Sequence, residues 1–133
     1  MTEAEIRTRM KNAFGRMNVH STPIEVYIGK GIPDVNWCVN GKEFWTELKV
    51  ITATNRLREQ LKPEQVAWLL KRTNAGGNAW VVGQHIKTHW YYAWWGGDAR
   101  ELSKAEDHAC LLAHSAHSKL ETLLKVLTTG KPT

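Results

Sequence analysis

Apolar residues recur at Ile6, Met10, Ala13, Phe14 and Met17, a helical spacing, and Thr2 with Glu5 three residues on fits a capping box at the start of that helix. "NVHSTP" ends it. "IEVYIG" (24–29) alternates and is β-branched, which predicts a strand. Two more strands are expected at about 34–39 and 42–51, joined by Asn40-Gly41, the strongest short hairpin signal. "TATNRLREQLK" is polar and basic and reads as a loop. "PEQVAWLLKRTNAGG" predicts a second helix, with Pro63 in its first turn and Gly76 as its stop. "NAWVVGQ" and "THWYYAWW" read as short strands. After "GGD", with Asp98 as N-cap, two helical stretches are expected at roughly 98–106 and 108–128. The order α-β-β-β-α-β-β-α-α predicts an α/β domain built on a central mixed β-sheet flanked by helices.

A chain of 133 residues is the size of one domain with a real core. The sequence shows no repeat, no low-complexity tract and no linker. It has no apolar run of transmembrane length, and its first residues are charged and helical rather than a signal peptide, so a cytosolic protein is expected. Two cysteines, Cys38 and Cys110, are too few for a disulfide framework. The net charge of +5 and pI of about 9.4 favour polyanionic partners. Seven tryptophans are many for this length, and most are expected in the core or an interface.

The hairpin carries charge in otherwise apolar strands. A two-residue turn at Asn40-Gly41 sets Val39 opposite Lys42, and the pairing runs back until Asp34 faces Glu47. Two carboxylates should then meet on one face, and strand alternation adds Lys49 to it. Like charges placed opposite one another destabilise a sheet, whereas a bound hard cation such as Mg²⁺ or Mn²⁺ would turn that repulsion into ligation. A neighbouring lysine would then steady developing charge. The plain alternative is that Asp34 caps the turn after Pro33 while Glu47 and Lys49 line a solvated face.

The constellation Pro33-Asp34, hairpin, Glu47-x-Lys49 resembles the PD-(D/E)XK nuclease signature. Its flanks, "GIPDVNWCVNGKEFWTELK" followed by "LKPEQVAWLLKRTNAGGNAWVV", look like the virus-type replication-repair nuclease (VRR-NUC) branch. They are similar also to phage and archaeal-type Holliday-junction resolvases, over about residues 3–84. The resemblance implies a restriction-endonuclease-like fold and a Mg²⁺-dependent DNA endonuclease, with Mn²⁺ as substitute. It makes Asp34, Glu47 and the backbone carbonyl of Leu48 metal ligands, Lys49 the catalytic lysine, and Gln65 a residue near the metal. Related nucleases add an acid from the first helix. Glu3 and Glu5 compete for that place; the apolar stripe puts Glu3 nearer the inward face, and Glu3-x-x-Ile6-x-x-x-Met10 matches the resolvase pattern, so Glu3 is preferred. The resemblance further implies a homodimer that nicks branched DNA, in the cytoplasm of a bacterial host if the protein is phage-encoded. A nuclease of linear duplex or single strands, and a non-catalytic DNA-binding accessory protein on the same fold, stay open.

Arg56, Arg58 and Lys62 follow the catalytic strand and are expected to contact phosphates, with Lys30 as a weaker candidate. Lys71 and Arg72 suit a helix C-terminus and are read as ordinary helix charge. Ser21 and Thr22, in the loop expected before the first strand, are loosely matched to a phosphate-touching hydroxyl loop of the resolvases. Cys110, His114 and His117, with Asp107 nearby, fall on one helical stripe. A zinc site drawn from a single helix is unusual, so a polar helix face is expected. His85 and His89 are read as two sides of a tight turn. The aromatic "THWYYAWW" is assigned to core or dimer interface before base stacking. The glycines fit no Walker pattern.

Overall fold

The computed structural model describes residues 1–24, 30–52, 57 and 61–132. Helix α1 (Glu3–Phe14) opens where Thr2 Oγ1 accepts from the Glu5 amide at 3.2 Å, buries Ile6, Met10 and Phe14, and stops at Gly15, whose φ is +59°. Strands β1 (Val19–Pro23), β2 (Val35–Val39) and β3 (Lys42–Ile51) follow, then α2 (Pro63–Asn74), β4 (Ala79–His85), β5 (Tyr91–Trp95), the short α3 (Ala99–Ser103), β6 (Ser115–His117) and α4 (Leu120–Thr129). The six strands form one mixed sheet in the order β1-β2-β3-β4-β5-β6. All neighbours are antiparallel except β3 and β4, which are parallel. Parallel neighbours need a crossover, and α2 supplies it.

Helices cover both faces. Under α1 and α4 lie Val35, Trp37, Phe44, Leu48, Val50, Trp80 and Val82. Under α2, α3 and the 3-10 turn at 106–112 lie Ile51, Val81 and Trp94, packed on Val66, Leu69 and Leu102. Of the seven tryptophans, Trp37, Trp80, Trp94 and Trp95 are buried and Trp45 and Trp68 half-buried, leaving Trp90 outside the core. Strand β5 lies between β4 and β6, and its aromatic run is core rather than a free interface.

The α/β class and mixed sheet match expectation, and four details differ. The segment read as the exit from the first helix forms β1. It is an edge strand whose exposed, polar His20 and Thr22 carry no hydrophobic alternation. Ser21 and Thr22 therefore sit opposite Trp37 and Asn36 in the sheet rather than in a loop. Of the strand expected at 24–29, residues 25–29 lie outside the described residues, and Ile24 is the first residue beyond β1. The helix expected at 98–106 is only a short α3 behind a 3-10 turn, and Asp98 makes no side-chain capping bond. The long helix expected at 108–128 is three elements. The 3-10 turn, β6 and α4 replace it because the 115–117 backbone pairs with β5, an option that apolar spacing alone does not reveal. No described helix is long and apolar enough to cross a membrane.

Candidate metal and phosphodiester site

The hairpin turn has the geometry that its sequence predicts, with φ of +49° at Asn40 and +80° at Gly41. Val39 pairs with Lys42 and Val35 with Thr46, without a bulge. Continuing that register one residue brings Asp34 level with Glu47. Asp34 lies just past the end of β2, where its Oδ2 accepts the Leu48 amide at 2.7 Å. The Leu48 amide thus points toward the edge that β2 vacates. In a strand the carbonyl of a residue points the same way as its amide, so the Leu48 carbonyl is directed to that edge too.

Glu47 and Lys49 are each only 4 % exposed, which rules out a solvated face. Glu47 Oε2 is 3.4 Å from the Lys49 ammonium and accepts from Gln65 Nε2 at 3.1 Å. Gln65 is anchored in turn, since its Oε1 accepts the Lys62 amide at 3.0 Å in the first turn of α2. Gly31 sets the position of that turn. A Cβ at Gly31 would stand 2.1 Å from the Glu64 carbonyl oxygen, and φ there is +69°. Only glycine lets the chain ahead of Asp34 lie directly on the start of α2. Pro33-Asp34 and Gln65 are held together by that backbone contact.

The Asp34 and Glu47 carboxyls are close enough to shift one another's protonation. Burial and then the negative charge of Asp34 push Glu47 up to about 7, against the attraction of Lys49. Burial raises Asp34 as well, opposed by the Leu48 amide and Lys49, with the charge of Glu3 adding to the rise. Two neighbouring carboxyls, one buried and one half-buried, whose burial favours the protonated form, could hold a divalent cation. The donor set is two carboxylates and a backbone carbonyl, which suits Mg²⁺ or Mn²⁺ with retained waters. Among the described residues no group of three or more His, Cys, Asp and Glu is arranged to hold a metal.

A cavity of about 280 Å³ beside Asp34 is lined by Glu3, Arg7, Pro23, Ile24 and Leu48. Glu3, half-buried one turn before Arg7, thus faces the same space as Asp34, while Glu5 lies 3.6 Å from Arg9 on the exposed side of α1. The sequence reasoning missed Arg7. Among the described residues its guanidinium has no ion pair or hydrogen bond, although the side chain is half-buried beside two acids. Its spacing of four from Glu3 was the available signal.

Lys30 and Lys62 are exposed at the two chains that meet at the start of α2. Arg56 and Arg58 lie outside the described residues. Arg72 is packed rather than free, its guanidinium carbon 4.7 Å from the Trp68 ring and 5.3 Å from that of Trp45. The Cys110, His114 and His117 stripe does not form, because these residues fall on a 3-10 turn and at β6; the His117 ring meets Ser115 Oγ instead. His85 and His89 do close a turn. The His85 Nδ1 accepts the amides of Lys87 and Thr88, a role for a neutral ring, and burial lowers its pKa accordingly.

Comparison with protein-family models and with curated proteins finds no match.

Proposed function

We propose that this protein is a Mg²⁺-dependent endonuclease that hydrolyses phosphodiester bonds in DNA, with Mn²⁺ as a substitute metal. One observation carries the reading: the buried Glu47 carboxyl and the half-buried Asp34 carboxyl are neighbours beside the Lys49 ammonium, 3.4 Å from Glu47. One ammonium, Lys49, faces two carboxyls, so one negative charge is left without a partner, which a divalent cation would take up. The resemblance of Pro33-Asp34…Glu47-x-Lys49 to PD-(D/E)XK nucleases points the same way.

Asp34, Glu47 and the Leu48 carbonyl would hold the metal, which when bound supplies Lewis acidity towards a phosphate oxygen and acidifies a bound water. Glu3 stands at the far side of the same space and adds negative charge to it. Gln65 and Lys49 both hold Oε2 of Glu47, which fixes the carboxyl. Lys49 steadies the charge that builds on phosphorus-bound oxygen as water adds and the ester oxygen leaves. Arg7, half-buried and facing Asp34 across the cavity, suits the phosphate itself. Lys30 and Lys62, with Arg56 and Arg58, supply backbone attraction without base readout. The finer reading is a cytoplasmic homodimer that nicks branched DNA, one strand per subunit.

The test is cleavage of a four-way junction beside linear duplex, single strand and flap, with Mg²⁺, Mn²⁺ or EDTA and with Asp34→Ala as control. Metal-dependent paired nicking of the junction, lost in the variant, supports the whole reading. Cleavage of linear DNA alone keeps the metal site and removes the branched substrate. Binding without cleavage of any substrate would replace the enzyme by a DNA-binding accessory protein.

A further inference from the structure

The turn between β4 and β5 lifts two large apolar side chains into solvent. Ile86 is 48 % exposed and Trp90 43 %, with Lys87 and His89 between them. Such residues at a turn cost solubility, so their surroundings matter. This turn is tied down at every residue. The His89 amide donates to the His85 carbonyl at 2.9 Å, and Gln84 Nε2 donates to the His89 carbonyl at 3.1 Å. His85 Nδ1 takes the Lys87 and Thr88 amides at 3.1 and 3.3 Å, and the Trp90 amide reaches Thr88 Oγ1 at 3.3 Å. From behind, Arg9 of α1 donates to Gln84 Oε1 at 2.6 Å. The ordering that a loop would otherwise undergo on binding is already complete.

The turn is also fixed relative to the candidate site. The Ile86 amide donates to the Ile51 carbonyl at 2.8 Å, and Ile51 is two residues beyond Lys49 on β3. Lys49 pairs with Gly83, so three strand residues along and one strand spacing across put Ile86 roughly 11 Å from Lys49, Cα to Cα. That is within the width of a DNA major groove, about 12 Å, so the turn lies within reach of a duplex that sits at the end of β3.

Resting on the nuclease reading above, we propose that Ile86 and Trp90 form a preset wedge that enters the base stack at a DNA branch point, with Lys87 on the adjoining phosphate. Apolar wedges unstack and kink DNA at a cost of a few kcal/mol per step. At a branch point stacking is already interrupted and the cost is lower, so a rigid wedge beside the catalytic strand selects branched over linear DNA. The basic residue between the two apolar ones fits a polyanion and disfavours a purely apolar partner.

The experiment uses the full-length protein with a junction carrying 2-aminopurine at the branch and, as reference, linear duplex with the same label, in Ca²⁺ to allow binding without turnover. Cleavage of both substrates is then measured in Mg²⁺. The wild type is expected to raise the 2-aminopurine fluorescence of the junction only. Trp90→Ala should abolish that rise and lower the junction-to-linear ratio of kcat/KM by roughly tenfold or more, the size of one base–aromatic contact. Trp90→Phe should restore most of it. Ile86→Ser, checked for an unchanged melting curve, gives an independent second variant. Unchanged fluorescence and an unchanged ratio in both Trp90→Ala and Ile86→Ser would overturn the wedge, as would a wild type that cleaves linear DNA equally well. Absence of any metal-dependent cleavage would instead fail the nuclease reading, and the fluorescence arm would still decide the wedge.

Discussion

Substituting Glu47 by glutamine separates the charge of this group from its shape. The side chain keeps an acceptor for Gln65 Nε2, now 3.1 Å away, and loses the negative charge that Asp34 opposes. In the native protein burial and Asp34 push Glu47 from 4.5 to about 7. A native carboxyl of this kind holds its proton to higher pH than the unfolded chain does, so the unfolded state ionises first and native stability falls as the pH climbs. Between 4.5 and about 7 the full loss is about 3 kcal/mol at most, which for a chain of this size is roughly 10 °C in melting temperature. Asp34 contributes in the same direction. The assay is a series of thermal melts from pH 5 to pH 8 in EDTA, repeated with Mg²⁺ at pH 8. Slopes are compared rather than absolute stabilities, because Glu47→Gln also removes the partner of the buried Lys49 ammonium, a separate cost of several kcal/mol. Wild type should lose stability across the range and regain it with Mg²⁺, by about 2.7 kcal/mol at a hundred times the dissociation constant. Glu47→Gln should show a shallower slope and little response to the metal. Equal slopes, with Mg²⁺ raising both melting temperatures alike, would refute the carboxyl-pair reasoning.

Gly31→Ala places a methyl group against the Glu64 carbonyl at a positive φ and should cost about 2–4 kcal/mol, read as a lower urea midpoint; a loss below half a kcal/mol would contradict the close approach described. Gln65→Ala should lower kcat for DNA cleavage by roughly 10–100-fold with KM nearly unchanged, because it orients Glu47 without touching DNA. An effect confined to KM would reassign it as a substrate contact. Arg7→Ala should weaken DNA binding and reduce the slope of log K against log salt by about 1; an unaltered slope would remove Arg7 from the phosphate site.

The central hairpin was legible because turn chemistry and strand period both act locally. Asn40 and Gly41 dictate the turn, the turn dictates the register, and the register brings Asp34 to Glu47. Helix α2 was legible for a similar reason, with Pro63 and Gly76 marking its ends. Lys49 and Glu47 could be placed on one face from alternation, but their burial depends on α2 and on residues far along the chain. Gln65 was reached through a family resemblance alone, since its contact with Glu47 spans a crossover. Strand β1 and strand β6 were missed because both are short edge strands. Such strands are held by backbone pairing, which leaves little trace in side-chain pattern. Ala109, Leu112, Ala116 and Leu120 are spaced like a helix across three separate elements, and the 42 % exposure of Leu112 shows that the apparent stripe was no buried face. Arg7 escaped notice because a charged helix residue is usually solvated; only the nearness of Asp34 in space distinguishes it.

The one parallel seam, between β3 and β4, has a consequence for how such a molecule diversifies. On one side lies the antiparallel set β1-β2-β3 and on the other β4-β5-β6, and α2 is the covalent bridge between them. Glu3, Asp34, Glu47 and Lys49 precede the seam and Gln65 lies on the bridge, whereas the Ile86–Trp90 turn follows it. On the nuclease reading, the residues proposed for the reaction and those proposed to select substrate shape are therefore inherited on different segments of the chain. Drift or exchange of the second segment would then change the proposed wedge while the carboxyl pair stays intact. The junction lies near exposed Gly76, where φ is +94° and a side chain would meet open space, a natural place for an insertion or a break between two co-assembling pieces.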